Sequence, residues 1–133
     1  METLANAHIG RDHYQVTINA GKNVLIADEN EDHGGKDEGF NPFELLLASL
    51  GACTCVTVRM YADRKQISLE EIKVNLSLER DEVNNVTKVT RQIEFIGNIT
   101  DAERNRLLEI ANKCPIHKIM SNPIHISTQL AGG

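Results

Sequence analysis

Much of the architecture of this chain is dictated by one segment, ELLLASLGACTCVTVRMYA, because it has almost no charge and no proline. Just before it, Asn41 is a favourable N-cap, Pro42 suits the first helical position, and Glu44 can complete a capping box. Only Gly51 weakens the helical pattern. We therefore predict one helix over residues 42–64, roughly 34 Å long at about 1.5 Å per residue.

The apolar stretch inside this helix raises the question of a membrane span. It carries no charged residue from Leu45 to Val58, which is about 14 positions, whereas a span needs about 20. The side chains from Ala48 to Thr54 are mostly small, so another backbone can approach them closely. We therefore expect no membrane, and a helix that is buried on most sides, in part against its own copy across a dimer axis.

The remaining pattern predicts an α+β fold in a single domain spanning residues 1–133. Alternating polar and apolar residues predict five strands, at residues 13–18, 23–29, 71–80, 86–99 and 123–130. A capping box at Thr100–Glu103 begins a second helix over 101–113, and a short helical turn is expected over 115–120. The order β-β-α-β-β-α-β, with a long central helix, lacks the regular alternation of a nucleotide-binding sheet.

Composition excludes several classes of function. The chain has 133 residues, of which 41% are hydrophobic and 25% charged, as in ordinary soluble domains. Its net charge is −5 and it has no run of basic residues, so nucleic acid is not an expected partner. Aromatic residues make up only 4%, and a small aliphatic core favours pairing with a second copy. The first residues lack the pattern of a signal peptide, so we expect a cytoplasmic location with reduced thiols.

Three cysteines are an odd number, which argues against a framework of structural disulfides. Cys53 and Cys55 lie two positions apart on the predicted helix and therefore point about 200° away from each other. At most one of them is expected to be functional, and the other is a buried apolar thiol. Cys114 precedes Pro115 at the predicted start of a helical turn, where the helix dipole favours a thiolate, although a simple spacer role fits the spacing as well.

Metal binding is a weaker interpretation of the same residues. Cys53, Cys55, Cys114 and His117 are the ligand types of a Cys3His zinc site, but two cysteines in a C-x-C arrangement on a helix point in different directions. The acidic loop at 28–39 imitates the start of a calcium loop, but its sixth and twelfth positions do not fit. We predict no metal and no cofactor.

Taken together, these segments resemble the OsmC/Ohr family, the osmotically inducible protein C and organic hydroperoxide resistance proteins, in its OsmC-like branch. NPFELLLASLGACT is similar to the family's Asn-Pro-x-x-Leu helix start, which leads to an Ala-Cys about a dozen residues later. ANKCPIHKIMSNPIHI is similar to its Ala-x-x-Cys-Pro segment before a final strand. Cys53 and Cys114 stand 61 positions apart (114 minus 53), as this family would place them. The resemblance covers nearly the whole chain.

The resemblance implies an intertwined homodimer whose sheets wrap around the two central helices. It also implies a thiol-dependent peroxidase, with a peroxiredoxin-like activity towards organic hydroperoxides. Cys53 would be the peroxidatic thiol, which becomes a sulfenic acid, and Cys114 the resolving thiol, which condenses with it to a disulfide. An external dithiol would reduce that disulfide.

The resemblance further implies a cation that activates Cys53. Gly10-Arg11-Asp12 is similar to a Gly-Arg-Asp segment of the organic hydroperoxide branch, so Arg11 is the candidate, with Arg59 as a weaker one about 120° off the Cys53 face. Phe43 stands where the family has the glutamate that holds this arginine. This departure leaves room for an alternative function, a non-enzymatic dimeric module that senses oxidants or binds an apolar ligand.

Overall fold

A computed structural model describes residues 1–132 and shows the predicted α+β fold. Its strands are β1 (Asn6–His8), β2 (Val16–Ala20), β3 (Asn23–Ala27), β4 (Leu69–Asp81) and β5 (Val86–Gly97). Its helices are α1 (Pro42–Arg64), α2 (Asp101–Ala111) and α3 (Pro115–Met120), with a 3₁₀ turn at Glu31–His33. The chain divides into two compact units, Met1–Ala48 and the residues from Ser49 onward, which are described separately. The prediction of a single domain over residues 1–133 stays a prediction.

The first unit contains a three-stranded antiparallel sheet in the order β1-β2-β3. The hairpin between β2 and β3 closes through two residues, because Ala20 pairs with Asn23, and Gly21 supplies the positive φ of 59° that such a tight turn requires. β1 was not predicted from the sequence. It is only three exposed residues long and forms along the free edge of β2.

The loop between β3 and α1 is organised around the buried carboxylate of Asp28. Its oxygens accept hydrogen bonds from four backbone amides, those of Tyr14, Glu29, Lys36 and Glu38. Burial would raise the pKa of this carboxyl group, but the four amide donors outweigh burial and lower the pKa from its ordinary value. The acidic loop therefore uses this carboxylate to hold its own backbone.

Helix α1 has the predicted bounds and the predicted cap. The side chain of Asn41 accepts from the amide of Glu44 at 2.8 Å, and the carboxylate of Glu44 accepts from the amide of Asn41 at 2.9 Å. The fully buried residues of the helix recur every four positions and form one stripe: Leu50, Thr54, Val58 and Ala62.

The opposite side of α1 is less covered than the sequence predicts. Val56 and Met60 are each more than half exposed. α1 has the length and hydropathy of a candidate membrane span, and 28% of its most apolar window is buried within this chain. A single copy of the chain therefore covers one stripe of this helix and leaves apolar surface on the other side.

The second unit packs α1 and α2 against a long antiparallel hairpin of β4 and β5. The buried core comprises Val58, Ala62, Leu69, Phe95, Leu107, Ile110 and Ala111. Helix α2 begins with the predicted capping box, in which Thr100 and Glu103 bond to each other's backbone amides. It ends at Ala111, two residues earlier than predicted.

The predicted strand over 123–130 is not formed. The residues after α3 adopt neither helix nor strand in the described chain, and their apolar side chains are exposed, with Ile126 at 84% and Leu130 at 96%. A strand needs a neighbour whose backbone groups pair with its own, and no other segment among residues 1–132 pairs with this one. The alternating pattern of residues 123–130 implies a neighbouring strand that this single copy of the chain does not provide.

Candidate active site

Cys53 lies on α1 in the second unit, at the border between buried and exposed surface. Its sulfur is 3.8 Å from the hydroxyl of Thr57, one turn along the helix. The next residue, Thr54, faces the core and is fully buried, and its hydroxyl donates to the carbonyl of Leu50 at 2.7 Å. Cys53 therefore directly precedes a buried polar residue in the chain while remaining only partly buried itself.

Cys55 has different surroundings. It lines an open surface groove of about 460 Å³ between α1 and β4. The other lining residues are Val56, Arg59, Met60, Glu70, Glu71 and Ile72. Thr57, the residue whose hydroxyl lies nearest the Cys53 sulfur, does not line this groove.

Cys114 is fully buried at the start of α3. Its own amide donates to the carbonyl of Ala111 at 3.3 Å, which closes the end of α2. Its sulfur accepts a hydrogen bond from the amide of His117 at 3.3 Å. Pro115 then fixes the first helical position, so the chain turns at this point and the sulfur points back against its own backbone.

Arg91, on β5, joins the segments that carry the two cysteines. Its Nη1 donates to the hydroxyl of Thr54 at 2.9 Å and to the carbonyl of Ala111 at 3.4 Å. Its Nη2 donates to the side-chain oxygen of Asn112 at 2.8 Å and lies 3.0 Å from Nδ1 of His117. One guanidinium therefore contacts α1 next to Cys53, the end of α2, and α3.

Arg91 was not among the residues that the sequence indicated, although the sequence contains a signal for it. From residue 88 to residue 95 of β5 the partly or fully buried positions are alternate residues, Val89, Arg91, Ile93 and Phe95. A charged residue in the apolar phase of a half-buried strand must find partners, because an unpaired buried charge is costly. Such a residue is a candidate for a functional site. Its three alternating apolar neighbours make the segment read as an ordinary half-buried strand.

The two cations that the sequence suggested are placed elsewhere. Arg11 is exposed in a bend of the first unit, and its role at Cys53 stays a prediction. Arg59 donates to the carbonyls of Leu69 and Glu70 at 2.8 and 3.0 Å, and to Asp63 at 3.3 Å. Its guanidinium is therefore occupied by the start of β4.

Metal ligation finds no support in the part of the chain that the structure describes. No group of three or more His, Cys, Asp or Glu side chains is close enough there to hold an ion. In the loop that imitates a calcium site, the carboxylate of Asp28 is occupied by backbone amides.

Comparison with known proteins connects this site to a family. The sequence model of the family described as OsmC-like protein matches residues 35–129, which include Cys53, Arg91 and Cys114. A comparison with functionally curated proteins gives no significant match.

Solved structures of the same fold are also similar. An OsmC-like protein from Mycoplasma pneumoniae has a TM-score of 0.79 at 20% identity, over 91% of this chain and 88% of that chain. An organic hydroperoxide resistance protein from Legionella pneumophila has a TM-score of 0.66 at 25% identity, over 90% and 89%. The organic hydroperoxide resistance protein OhrB of Bacillus subtilis has a TM-score of 0.61 at 23% identity, over 90% of both chains.

Proposed function

Because the chain belongs to the OsmC-like protein family, which supports a peroxide-related redox role, we propose that it is a thiol-dependent peroxidase that reduces organic hydroperoxides. One observation carries the proposal. Cys53 and Cys114 lie in the same compact unit, and a single guanidinium contacts both the residue after Cys53 and a residue of the turn that Cys114 begins. Two thiols whose neighbouring residues bond to one rigid group suit a reaction that must join them.

The proposed cycle begins at Cys53, the more accessible of the two thiols. Its thiolate attacks one oxygen of the hydroperoxide and the O–O bond breaks. The leaving alkoxide takes up a proton to become an alcohol, and Cys53 is oxidised by two electrons to a sulfenic acid. The sulfur of Cys114 then displaces hydroxide from Cys53, which gives a disulfide and water. An external dithiol restores both thiols by exchange.

A cation beside Cys53 would favour its thiolate, and Arg11 remains the proposed one. Its support is the Gly10-Arg11-Asp12 sequence. Phe43, which stands where the resemblance implies a glutamate, is more than half exposed at the start of α1. An apolar side chain at that place suits a hydroperoxide with a bulky alkyl group.

We further propose that the protein works as a cytoplasmic homodimer. Two apolar surfaces support this arrangement, the open side of α1 around Val56 and Met60 and the exposed segment after α3. Neither surface is covered within the described chain, and contiguous apolar surface on a soluble protein commonly marks an interface. A second copy would cover both.

A disulfide map tests the proposed chemistry. Reduced protein is treated with one equivalent of tert-butyl hydroperoxide and analysed by mass spectrometry. We expect loss of two hydrogens per chain and a Cys53–Cys114 bond, with Cys53→Ser inactive and Cys55→Ser, the matched control, unchanged. Sustained consumption of the hydroperoxide with a dithiol donor is also expected. A Cys53→Ser variant as active as the wild type would refute the proposal.

The second candidate is a non-enzymatic module of the same fold that senses oxidants or holds an apolar ligand. The open groove beside Cys55, which is lined by Val56, Met60 and Ile72, favours it. This function predicts that the protein is oxidised stoichiometrically, without turnover, when dithiol is in excess. It also predicts that a fluorescent apolar probe binds the wild type and binds the Met60→Asp variant more weakly. Multiple turnovers would favour the peroxidase.

A further inference from the structure

Arg91 hydrogen-bonds four groups in the segments around Cys53 and Cys114, those of Thr54, Ala111, Asn112 and His117. We infer that Arg91 is a positioning residue for the disulfide-forming step, acting through His117 on the sulfur of Cys114. The assignment to this step rests on the proposed function, whereas the contacts that support it do not. Neither Arg91 nor His117 was among the residues that the sequence indicated for the peroxidase.

The first support is the shape of the guanidinium. It is planar and presents its donors in a fixed fork, so anchoring one nitrogen determines where the other must lie. Nη1 of Arg91 is anchored on α1 through Thr54 and on the last turn of α2 through Ala111. Nη2 then holds Asn112 and the ring of His117. The helix that carries Cys53 is thereby connected to the turn that carries Cys114 through one rigid group.

The second support is the chemistry of the His117 contact. A guanidinium has donors only, so Nδ1 of His117, 3.0 Å from Nη2 of Arg91, must accept the hydrogen bond. The ring is therefore neutral in this arrangement, and its proton is on Nε2. The guanidinium thus determines both the orientation and the tautomer of the ring.

The third support is that His117 also contacts the sulfur. Its backbone amide donates to Sγ of Cys114 at 3.3 Å, while its ring is held by Arg91. The two contacts belong to a single residue of a six-residue helix, so Arg91 anchors against β5 the short helix whose first turn bonds the sulfur. Since Cys114 is fully buried, its sulfur can react only along a direction that the surrounding turn permits.

In the disulfide-forming step, the sulfur of Cys114 attacks the sulfur of the Cys53 sulfenic acid. The S–S bond forms, the S–O bond breaks, and the departing hydroxide takes the proton that Cys114 gives up, so water is released. No bond to Arg91 changes. Its loss should therefore slow this step and leave the attack of Cys53 on the hydroperoxide nearly unchanged, because the described contact of the Cys53 sulfur is with Thr57.

The test compares Arg91→Met with Arg91→Lys in a Cys55→Ser background. Arg104→Met is the matched control, because Arg104 donates to a backbone carbonyl, that of Phe95 at 2.7 Å, but contacts neither cysteine segment. One equivalent of tert-butyl hydroperoxide is added, Cys53 sulfenic acid is trapped with dimedone, and disulfide formation is followed by quenched mass spectrometry.

We expect Arg91→Met to form the disulfide at least about tenfold more slowly, the order of one lost charge-assisted hydrogen bond, and to accumulate the dimedone adduct. Arg91→Lys should recover part of the rate, and Arg104→Met should match the parent. Equal disulfide rates in Arg91→Met and the parent would overturn the inference. So would an equal slowing of both steps, which is the signature of general destabilisation.

A second readout does not depend on peroxidase activity. In a Cys53→Ser, Cys55→Ser protein, the rate at which iodoacetamide alkylates Cys114 reports how firmly its sulfur is held. We expect this rate to rise with Arg91→Met and with His117→Leu, and to stay near the parent value with His117→Gln, which keeps an acceptor. Unchanged alkylation in Arg91→Met overturns the positioning role. If Arg91→Met alters this alkylation but tert-butyl hydroperoxide never oxidises the parent protein that keeps Cys53, the positioning role stands, whereas the proposed function, and with it the assignment to this step, is overturned.

Discussion

Thr54 shows how much one buried hydroxyl contributes at this site. It donates to the carbonyl of Leu50 and accepts from Nη1 of Arg91, so a single oxygen links the helix backbone to the guanidinium. A threonine inside a helix is usually an indifferent choice, because its branched side chain loses rotamer freedom. Here its value lies in the acceptor that it offers to a half-buried cation.

The Thr54→Val variant tests this contribution. Valine keeps the shape but removes the acceptor, so Arg91 loses one partner inside the protein. We expect the free energy of unfolding to fall by about 1–2 kcal/mol, the usual cost of a missing partner for a buried polar group. Urea denaturation followed by circular dichroism measures it. Thr54→Ser, which keeps the hydroxyl, is the control, and a Val variant as stable as the Ser variant would contradict the expectation.

At the residue scale, the sequence indicated some residues of the candidate site and not others. Cys53 and Cys114 could be proposed because each stands in a short segment that resembles a family motif. Arg91 left only an indirect signal, a charge among half-buried strand positions, and His117 left none for this role, because their contacts between β5, α2 and α3 arise only on folding. Motifs identify reactive atoms, whereas the residues that hold those atoms lie far apart in the chain.

At the scale of elements, α1 and the C-terminal segment show why some predictions succeed. α1 was predicted with its true bounds because its signals are local, an Asn cap, a proline at the first position and no later helix breaker. The strand predicted over 123–130 was wrong for this single chain because strand formation depends on a distant neighbour. β1 was missed because its three residues are too few to establish a strand pattern, and it forms only by pairing with β2.

The loop between β3 and α1 should make part of the stability depend on pH. The pKa of Asp28 is lowered in the folded protein, because four backbone amides favour its carboxylate over the effect of burial. A lowered folded-state pKa contributes stability that is fully present above the unfolded-state value of 3.8. That stability is lost as the pH falls below this value and through the lower folded-state pKa.

Asp28→Asn tests this prediction by unfolding in urea at pH 7 and at pH 3. The amide group of asparagine offers only one acceptor oxygen, so we expect the variant to be less stable than the wild type at pH 7. The difference should shrink at pH 3, because this pH lies below the unfolded-state pKa of 3.8 and part of the stability that the wild-type carboxylate contributes is lost there. Asp81→Asn is a useful comparison, because the pKa of Asp81 is lowered mainly by the side chain of Asn84 in an exposed turn. A gap of the same size at both pH values would count against the assignment to Asp28.

At the scale of the whole molecule, the exposed apolar segment after α3 should determine the oligomeric state. We expect a homodimer by sedimentation at micromolar concentration. Ile124→Asp combined with Ile126→Asp should raise the dimer dissociation constant at least about tenfold, because two apolar side chains would lose burial and charges would replace them. Val83→Asp is the control, because Val83 is 94% exposed in the turn between β4 and β5. A monomeric wild type would exclude this arrangement.

Cys114 is fully buried, whereas Cys53 is partly exposed, and this difference bears on how the proposed disulfide would be reduced. Thiol–disulfide exchange proceeds through attack on one chosen sulfur, and access decides which one. An incoming dithiol would reach the sulfur of Cys53 on α1 first. It would form a mixed disulfide with Cys53 and release Cys114 as a thiolate. The hydroperoxide and the reductant would thus both react at Cys53. A physiological donor should therefore carry a surface that is complementary to the exposed side of α1 around this residue.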